Sequence, residues 1–150
     1  MSDFLSPNLE TFLGKLNHLT EAHQPEWGTM NAQQMVEHLS NSIDLSTGVL
    51  KVDLSIPEEK VAKAVEFLHS ENPFPRGFKV GYAPENPAVR NESLDDAIDE
   101  LAMKWVGFEE YFIDFPEAQH LHPVYGMLDY EGWLRVHSKH FTHHFSQFNL

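Results

Sequence analysis

The strongest constraint on the fold is an apolar seam that runs through residues 91–115. Its members are spaced alternately four and three residues apart and are Leu94, Ile98, Leu101, Trp105, Phe108, Phe112 and Phe115. This spacing places them on one face of an α-helix, as in the seams of helix bundles. Asp95 and Asp96 lie in the predicted first turn, where the helix dipole favours acidic residues, and Pro116 ends the helix. The seam therefore predicts a long amphipathic helix that packs against other helices.

Other apolar periodicities and helix-start signals predict four more helices. Ser6 and Pro7 are typical of a helix start, and either Thr29 or Asn31 can cap the second helix. The predicted helices cover residues 6–19, 31–47, 57–69, 91–115 and 129–150. No stretch shows the apolar alternation of a strand, and KVDLSI at 51–56 is interpreted as loop. We therefore predict an all-α fold, a four-helix bundle with a short extra helix and one long crossover.

That crossover is the irregular stretch 70–90, which contains four prolines and two glycines. Such composition predicts a connection without regular structure, and loops of this length in small domains are often functional. Its aromatic side chains, Phe74, Phe78 and Tyr82, are candidates for a lid or for pocket walls.

Composition narrows the class of protein. A chain of 150 residues is most simply one domain, 1–150, and 23 acidic against 10 basic residues give a net charge of −13. Such a charge disfavours nucleic acid and anionic membrane surfaces as partners. There is no cysteine, so no disulfide or thiolate ligand forms. The N-terminus lacks signal-peptide features and no apolar run reaches membrane-spanning length, so we expect a cytoplasmic protein.

The C-terminal stretch, residues 129–150, concentrates the side chains that can carry chemistry. On a helix with about 100° per residue, one narrow stripe contains Trp133, His137, His140 and His144. Aromatic and leucine side chains widen this stripe into an apolar face: Tyr130, Leu134, Phe141, Phe145 and Phe148. The opposite side is expected to face water and carries Arg135, Ser138, Lys139, Thr142, Ser146 and Asn149.

Three histidines are predicted to point into the same core. His140 and His144 are four residues apart on the last helix, and His38 lies on the apolar face of the second helix. A pair at this spacing and a third imidazole from a facing helix can bind Zn²⁺, Ni²⁺ or Fe²⁺ and leave positions open for water or substrate. The same pattern also fits a histidine-rich helix whose imidazoles hydrogen-bond in the core or lie on the surface. Phe141 follows His140, so the metalloprotease HExxH motif is absent.

Two side chains near this trio are candidate catalytic residues, His137 and Gln147. His137 lies one turn before His140, where it can support a ligand, act as an acid or base, or simply pack in the core. Gln147 can orient a ligand or a bound water.

For three other polar residues the sequence supports only less specific expectations. His122 either stabilises a turn or takes part in catalysis. His143, at the edge of the inner face, is expected to form hydrogen bonds or to be solvated. Glu37 is expected to be a solvated charge, because it points about 100° away from His38.

Two stretches resemble the signature regions of the DinB/YfiT-like superfamily, and most closely a small branch of it. WGTMNAQQMVEHLSNS at 27–42 carries Trp-Gly-x-Met and His-Leu, whereas 122–148 carries His-Pro-x-aromatic-Gly and a terminal His-x-x-x-His followed by Gln. The resemblance spans most of the chain. Better-known members end in His-His-Arg-Gly-Gln; residues 143–147 lack that Arg and Gly but keep the histidine pair.

The resemblance implies a four-helix bundle with a divalent metal ion, Zn²⁺ or Ni²⁺, held by His38, His140 and His144. Because the superfamily includes thiol-dependent transferases, we expect a metal-dependent hydrolase or thiol transferase that acts on a small molecule. Any thiol must come from outside the chain, as a low-molecular-weight cosubstrate. The alternatives are a non-catalytic bundle that binds metal or a small ligand, and a helical interaction protein with structural histidines. By analogy, the protein is a monomer or a homodimer.

Overall fold

The computed structural model describes residues 3–76 and 87–150, and this part of the chain is mostly helical, which confirms the predicted helical class. The helices are α1 (Leu9–Leu16), α2 (Ala32–Ser46), α3 (Val61–His69), α4 (Leu94–Asp114) and α5 (Tyr130–Gln147), with a 3-10 turn at Glu58–Lys60 before α3. Two short strands, β1 (His120–His122) and β2 (Gly126–Leu128), separate α4 from α5. None of the described helices combines the length and the apolar character needed to cross a membrane.

Helix α4 forms where the seam predicts it. The hydroxyl of Ser93 caps its N-terminus by accepting a hydrogen bond from the Asp96 N–H at 3.1 Å. The predicted seam residues within the helix are buried or partly buried. Phe115 differs, because the helix ends at Asp114 and leaves the Phe115 side chain 57% exposed. The seam is therefore one residue shorter than its spacing suggests.

Helix starts depend on which side-chain oxygen reaches the free N–H groups of the first turn. The first helix begins at Leu9 and not at residue 6, because Asn8 Oδ1 accepts the Thr11 N–H at 2.8 Å. At α2, Asn31 Oδ1 accepts the Gln34 N–H and Gln34 Oε1 accepts the Asn31 N–H, both at 2.8 Å. This reciprocal capping box confirms Asn31 over Thr29 as the cap.

A two-stranded antiparallel hairpin lies in the stretch that the sequence predicted as loop, so the fold is not purely α. His120 pairs with Leu128, and His122 pairs with Gly126. Strands of three residues are too short to show an alternating pattern, which explains why they were missed. Segment 51–56 forms no strand, as predicted, but it lies against the hairpin: the Ser55 N–H donates to the Pro123 carbonyl at 2.7 Å.

One hydrophobic core joins all five α-helices and the hairpin. At its centre the Phe12 ring lies 4.9 Å from that of Trp105 and 4.2 Å from that of Phe141, between centroids. Helix α2 packs against both α4 and α5, and α3 packs against α5. The inner faces of α2 and α5 are therefore brought together, which positions the histidines.

The outer face of α5 is partly covered, although it was expected to face water. Ser138 is 6% exposed and Lys139 only 1%. The Lys139 ammonium donates to the Phe67 carbonyl at 2.8 Å and to that of Ser70 at 3.4 Å, and it lies 4.2 Å from the Phe67 ring centroid. Burial and the nearby Arg135 lower the pKa of Lys139 to about 8. Lys139 therefore binds carbonyls at the C-terminus of α3.

The predicted crossover, 70–90, is described at both of its ends. Residues 70–76 and 87–90 contain no helix or strand, as expected. Phe74 is 8% exposed and lies at the histidine site, whereas Phe78 and Tyr82 fall outside the described residues.

Candidate metal centre

Three imidazoles from α2 and α5 meet in the interior. His140 Nε2 lies 2.9 Å from His38 Nε2 and 3.0 Å from His144 Nε2. Ligand atoms of all three residues lie within 4.8 Å of one another, and no other such group of three histidine or acidic residues occurs in residues 3–76 and 87–150. The structure thus brings together the three residues that the sequence predicted as ligands.

The two short contacts of His140 cannot both be linear hydrogen bonds. A ring nitrogen carries either one proton or one lone pair in its plane, so Nε2 of His140 can serve one neighbour along that direction. His144 uses its Nδ1–H toward Gln147 Oε1, 2.8 Å away, which leaves its Nε2 as a bare lone pair. In at least one of the two nitrogen pairs, therefore, no proton lies on the line between the two nitrogen atoms. A cation would stabilise such an arrangement.

Burial keeps these imidazoles neutral at pH 7. It lowers the pKa of His38 to about 4, with a further contribution from His143. The pKa values of His140 and His144 are held well below the usual range, first by burial and then by the neighbouring histidines. Neutral imidazole is the form that binds metal, so all three side chains could bind a cation without losing a proton.

Gln147 is held between His144 and a loop before α2. The Glu26 N–H donates to the Gln147 carbonyl at 2.7 Å, which fixes the end of α5 against this loop. A Cβ on Gly28 would lie 2.6 Å from Gln147 Nε2, and Gly28 has φ +89°. The Trp-Gly pair of the sequence is thus explained by close packing of the loop on the amide that orients His144.

Aromatic side chains line one side of the cluster. The Phe74 ring lies 6.4 Å from that of His140 and 5.9 Å from that of His143, between centroids. His143 also contacts the rings of Trp27 at 4.9 Å and His144 at 5.0 Å. Phe74 and His143 form a wall of the cluster, and the His143 side chain hydrogen-bonds the Phe74 main chain, which is one of the two roles expected of it.

His137 lies in the aromatic core and not in the histidine cluster. It is fully buried, and its ring lies 5.2 Å from that of Phe108 and 5.7 Å from that of Trp133. Its Nε2 is 3.1 Å from Ser46 Oγ; because that hydroxyl donates to the Ile43 carbonyl, Nε2–H is the donor. Of the roles considered for His137, these contacts favour core packing.

His122 has the contacts of a turn-stabilising residue. Its Nδ1 accepts the N–H groups of Val124 at 3.0 Å and Tyr125 at 3.3 Å, within the hairpin turn. Burial lowers the pKa of His122 to about 3, so the ring stays a neutral acceptor.

Glu37 is buried, contrary to the expectation that it is a solvated charge. It is 3% exposed, and its carboxylate accepts the N–H groups of Arg90 at 2.8 Å and Asn91 at 3.0 Å. Gln33 and the Asn91 amide donate to it as well. Burial raises the pKa of Glu37, but these hydrogen bonds outweigh burial and the net pKa is lowered. This role could not be predicted from the sequence, since Arg90 and Asn91 lie more than fifty residues from Glu37.

These elements define a mostly helical protein with a cluster of three buried histidines between two helices. The chain belongs to the family described as protein of unknown function DUF1569, which matches residues 2–149. No curated protein and no solved structure matches the chain.

Proposed function

We propose that the protein is a metal-dependent enzyme whose divalent ion is bound by His38, His140 and His144. The observation that carries this proposal is the meeting of three neutral ring nitrogens around His140, at 2.9 and 3.0 Å, in a place where hydrogen bonds cannot satisfy both contacts. A metal–nitrogen bond of ~2.1 Å places cis ligands about 3.0 Å apart at 90° and about 3.4 Å apart in a tetrahedron. The two spacings at His140 lie near the lower value.

All three ligands are neutral, so a bound Zn²⁺ or Ni²⁺ would retain its full charge. Such an ion acts as a Lewis acid and lowers the pKa of a bound water or thiol. We therefore propose two reactions on a small molecule. In the first, water hydrolyses an ester by forming a new acyl C–O bond as the ester C–O bond breaks, which gives an acid and an alcohol. In the second, an external thiol forms a C–S bond at an electrophilic carbon as the bond from that carbon to its leaving group breaks; the leaving group departs with the bonding electron pair and the thiol proton passes to solvent.

The chain's own residues prepare this chemistry. Gln147 Oε1 accepts a hydrogen bond from His144 Nδ1–H, and this contact turns Nε2 toward the other two ligands. Phe74, 8% exposed, keeps water from one side of the cluster. Of the two candidate catalytic residues, Gln147 has a contact with a ligand, whereas His137 lies among core rings.

We further propose that α1, α2, α4 and α5 form a DinB/YfiT-like four-helix bundle, with the 70–90 connection as its crossover. Packing of α2 against α4 and α5, and of α1 against α4, supports this arrangement. The ligand positions agree with it as well, because one histidine lies on the second helix and two lie on the last.

Metal analysis and turnover assays test the proposal together. Protein purified without a His tag should bind about one equivalent of Zn²⁺ or Ni²⁺, and His38→Ala should abolish binding, whereas the exposed His18→Ala should not. The loaded protein is then screened against ester and thiol-plus-electrophile panels. Turnover that His38→Ala removes supports an enzyme. Metal binding without turnover supports the alternative, a non-catalytic metal- or ligand-binding bundle, and absence of metal supports structural histidines.

A further inference from the structure

Arg76 has no acidic partner among the described residues, and its guanidinium lies on Trp27, which in turn contacts His143 next to the histidine cluster. In a chain with 23 acidic and 10 basic residues, Arg90, Lys104 and Arg135 all pair with carboxylates. Arg76 forms no ion pair or hydrogen bond within residues 3–76 and 87–150. Its contact is with Trp27, whose ring centroid lies 5.0 Å from the guanidinium carbon. The N–H donors of Arg76 therefore have no ion-pair or hydrogen-bond partner in the part of the chain that the structure describes.

The position of Arg76 is fixed by residues that touch the ligands. Two residues earlier, the Phe74 ring is buried against His140 and His143, and the Phe74 main chain hydrogen-bonds the His143 side chain. On the other side, Trp27 contacts the His143 ring at 4.9 Å. A continuous row of contacts thus leads from the guanidinium through Trp27 and His143 to His144, whose ring is 5.0 Å from that of His143.

The chemistry of this arrangement suits an organic anion. A guanidinium that lies over an aromatic ring uses its face, which leaves the N–H groups along its edge free to bind a carboxylate in a bidentate way. The centre itself has three neutral ligands and no carboxylate among them. A bound divalent ion and Arg76 would form a local positive region on an acidic protein, and that field attracts anions.

We propose that the substrate or thiol cosubstrate of this centre carries a carboxylate that Arg76 binds while the reacting group meets the three-histidine centre. This inference rests on the proposed metal function and names the chemical class of its ligand. Trp27 holds the plane of the guanidinium, and the His143–Phe74 contact sets the distance between Arg76 and the histidines. Arg76 is thus a specificity-determining residue that selects acids over neutral analogues.

The test uses the full chain loaded with Co²⁺, whose visible absorption reports metal binding and changes when a thiol reaches the ion. Three probes of similar size are titrated: 3-mercaptopropionate, neutral 2-mercaptoethanol and cationic cysteamine. The native protein should bind 3-mercaptopropionate about tenfold more tightly than 2-mercaptoethanol, as expected for a charge-assisted hydrogen bond. Arg76→Gln should reduce this ratio several-fold, and Arg76→Lys should give an intermediate ratio. Lys63→Gln, which removes an exposed charge on α3, should leave the ratio unchanged.

The possible results distinguish failure of the carboxylate assignment from failure of the proposed metal centre. Uptake of Co²⁺ with a ratio that is the same in the native protein and in Arg76→Gln would overturn the carboxylate assignment alone. Stronger displacement of 3-mercaptopropionate by inorganic phosphate than by propionate would overturn the choice of a carboxylate over a phosphate. A chain that takes up no Co²⁺ contradicts the metal centre, and the ligand assignment falls with it.

Discussion

Gln147 Oε1 lies 2.8 Å from His144 Nδ1, and this contact decides which nitrogen of His144 faces the other histidines. An amide oxygen only accepts, so Nδ1 carries the proton and Nε2 carries the lone pair. The last turn of α5 therefore supplies both a histidine of the cluster and the group that orients it.

Removal of this orienting group should weaken metal binding and leave the fold intact. We expect Gln147→Leu to reduce affinity for Zn²⁺ roughly 10- to 100-fold, as is typical when a partner of a ligand histidine is lost. Competition with a chromophoric chelator measures the affinity, and circular dichroism checks the helix content. Ser146→Ala, an exposed neighbour on α5, is the matched control. Equal affinities in Gln147→Leu and Ser146→Ala would show that the amide does not position His144.

Gly28 should also be needed for metal binding, because the Gln147 amide packs closely against it. A Cβ at this position would lie 2.6 Å from Gln147 Nε2, and φ is +89°, so Gly28→Ala must displace the amide or strain the loop. We expect a loss of about 1–2 kcal/mol in free energy of unfolding together with weaker metal binding.

The control for Gly28 is another glycine, Gly14, in the middle of α1. A Cβ on Gly14 meets nothing within 4 Å, and alanine is the better helix former. Gly14→Ala should therefore stabilise the protein by about 0.5–1 kcal/mol and leave metal affinity unchanged. Gly28→Ala behaving like Gly14→Ala in urea unfolding and chelator competition would contradict the close packing at Gly28.

Glu37 should be one of the most important polar residues for stability. In Glu37→Gln the new amide NH₂ would face the N–H groups of Arg90 or Asn91, which now donate to the carboxylate. We expect a loss of about 2–4 kcal/mol in free energy of unfolding, measured with urea. Glu110→Gln, at an exposed position of α4, should change it by less than ~0.5 kcal/mol. A loss below 1 kcal/mol for Glu37→Gln would contradict the anchoring role.

Stability of the metal-free protein should fall in mild acid. Burial lowers the pKa values of His122 and His137 to about 3, so these rings stay neutral in the folded state while the unfolded chain takes up protons near pH 6.5. Because the unfolded state then binds more protons, the free energy of unfolding falls with falling pH, by about 1.4 kcal/mol per pH unit for each ring once the pH is well below 6.5. His137→Phe should reduce this slope. Urea unfolding at pH 7 and pH 5 measures it, and a stability that is unchanged or higher at pH 5 would contradict the buried neutral state.

Structural features that follow from a regular spacing of residues could be predicted from the sequence. The spacing of apolar residues in α4 and the four-residue spacing of His140 and His144 report helix faces directly, so the helices and the converging histidines were foreseen. Features that depend on remote neighbours could not be foreseen. Lys139 faces away from the α5 stripe, but α3 covers it, and only the packing of the chain reveals the carbonyls that it binds.

Dependence on remote neighbours also explains why the roles of Glu37 and Arg76 could not be predicted from the sequence. Glu37 is buried because residues 90–91, far along the chain, return to α2. The role proposed for Arg76 depends on its contact with Trp27. A helical wheel cannot reveal this contact, because both residues lie in loops. The hairpin was missed for a different reason, since three-residue strands carry too few positions for a periodic signal.

The amount of metal that the tag-free protein binds tests the central claim most directly. Elemental analysis after incubation with Zn²⁺ or Ni²⁺ and removal of free ions should give about one equivalent per chain. His140→Ala should give less than about a tenth of an equivalent, because His140 Nε2 is the atom that both other histidines approach. The exposed His18→Ala should match the native protein. Less than a tenth of an equivalent in the native chain, or equal binding by His140→Ala, would contradict a metal centre at these three histidines.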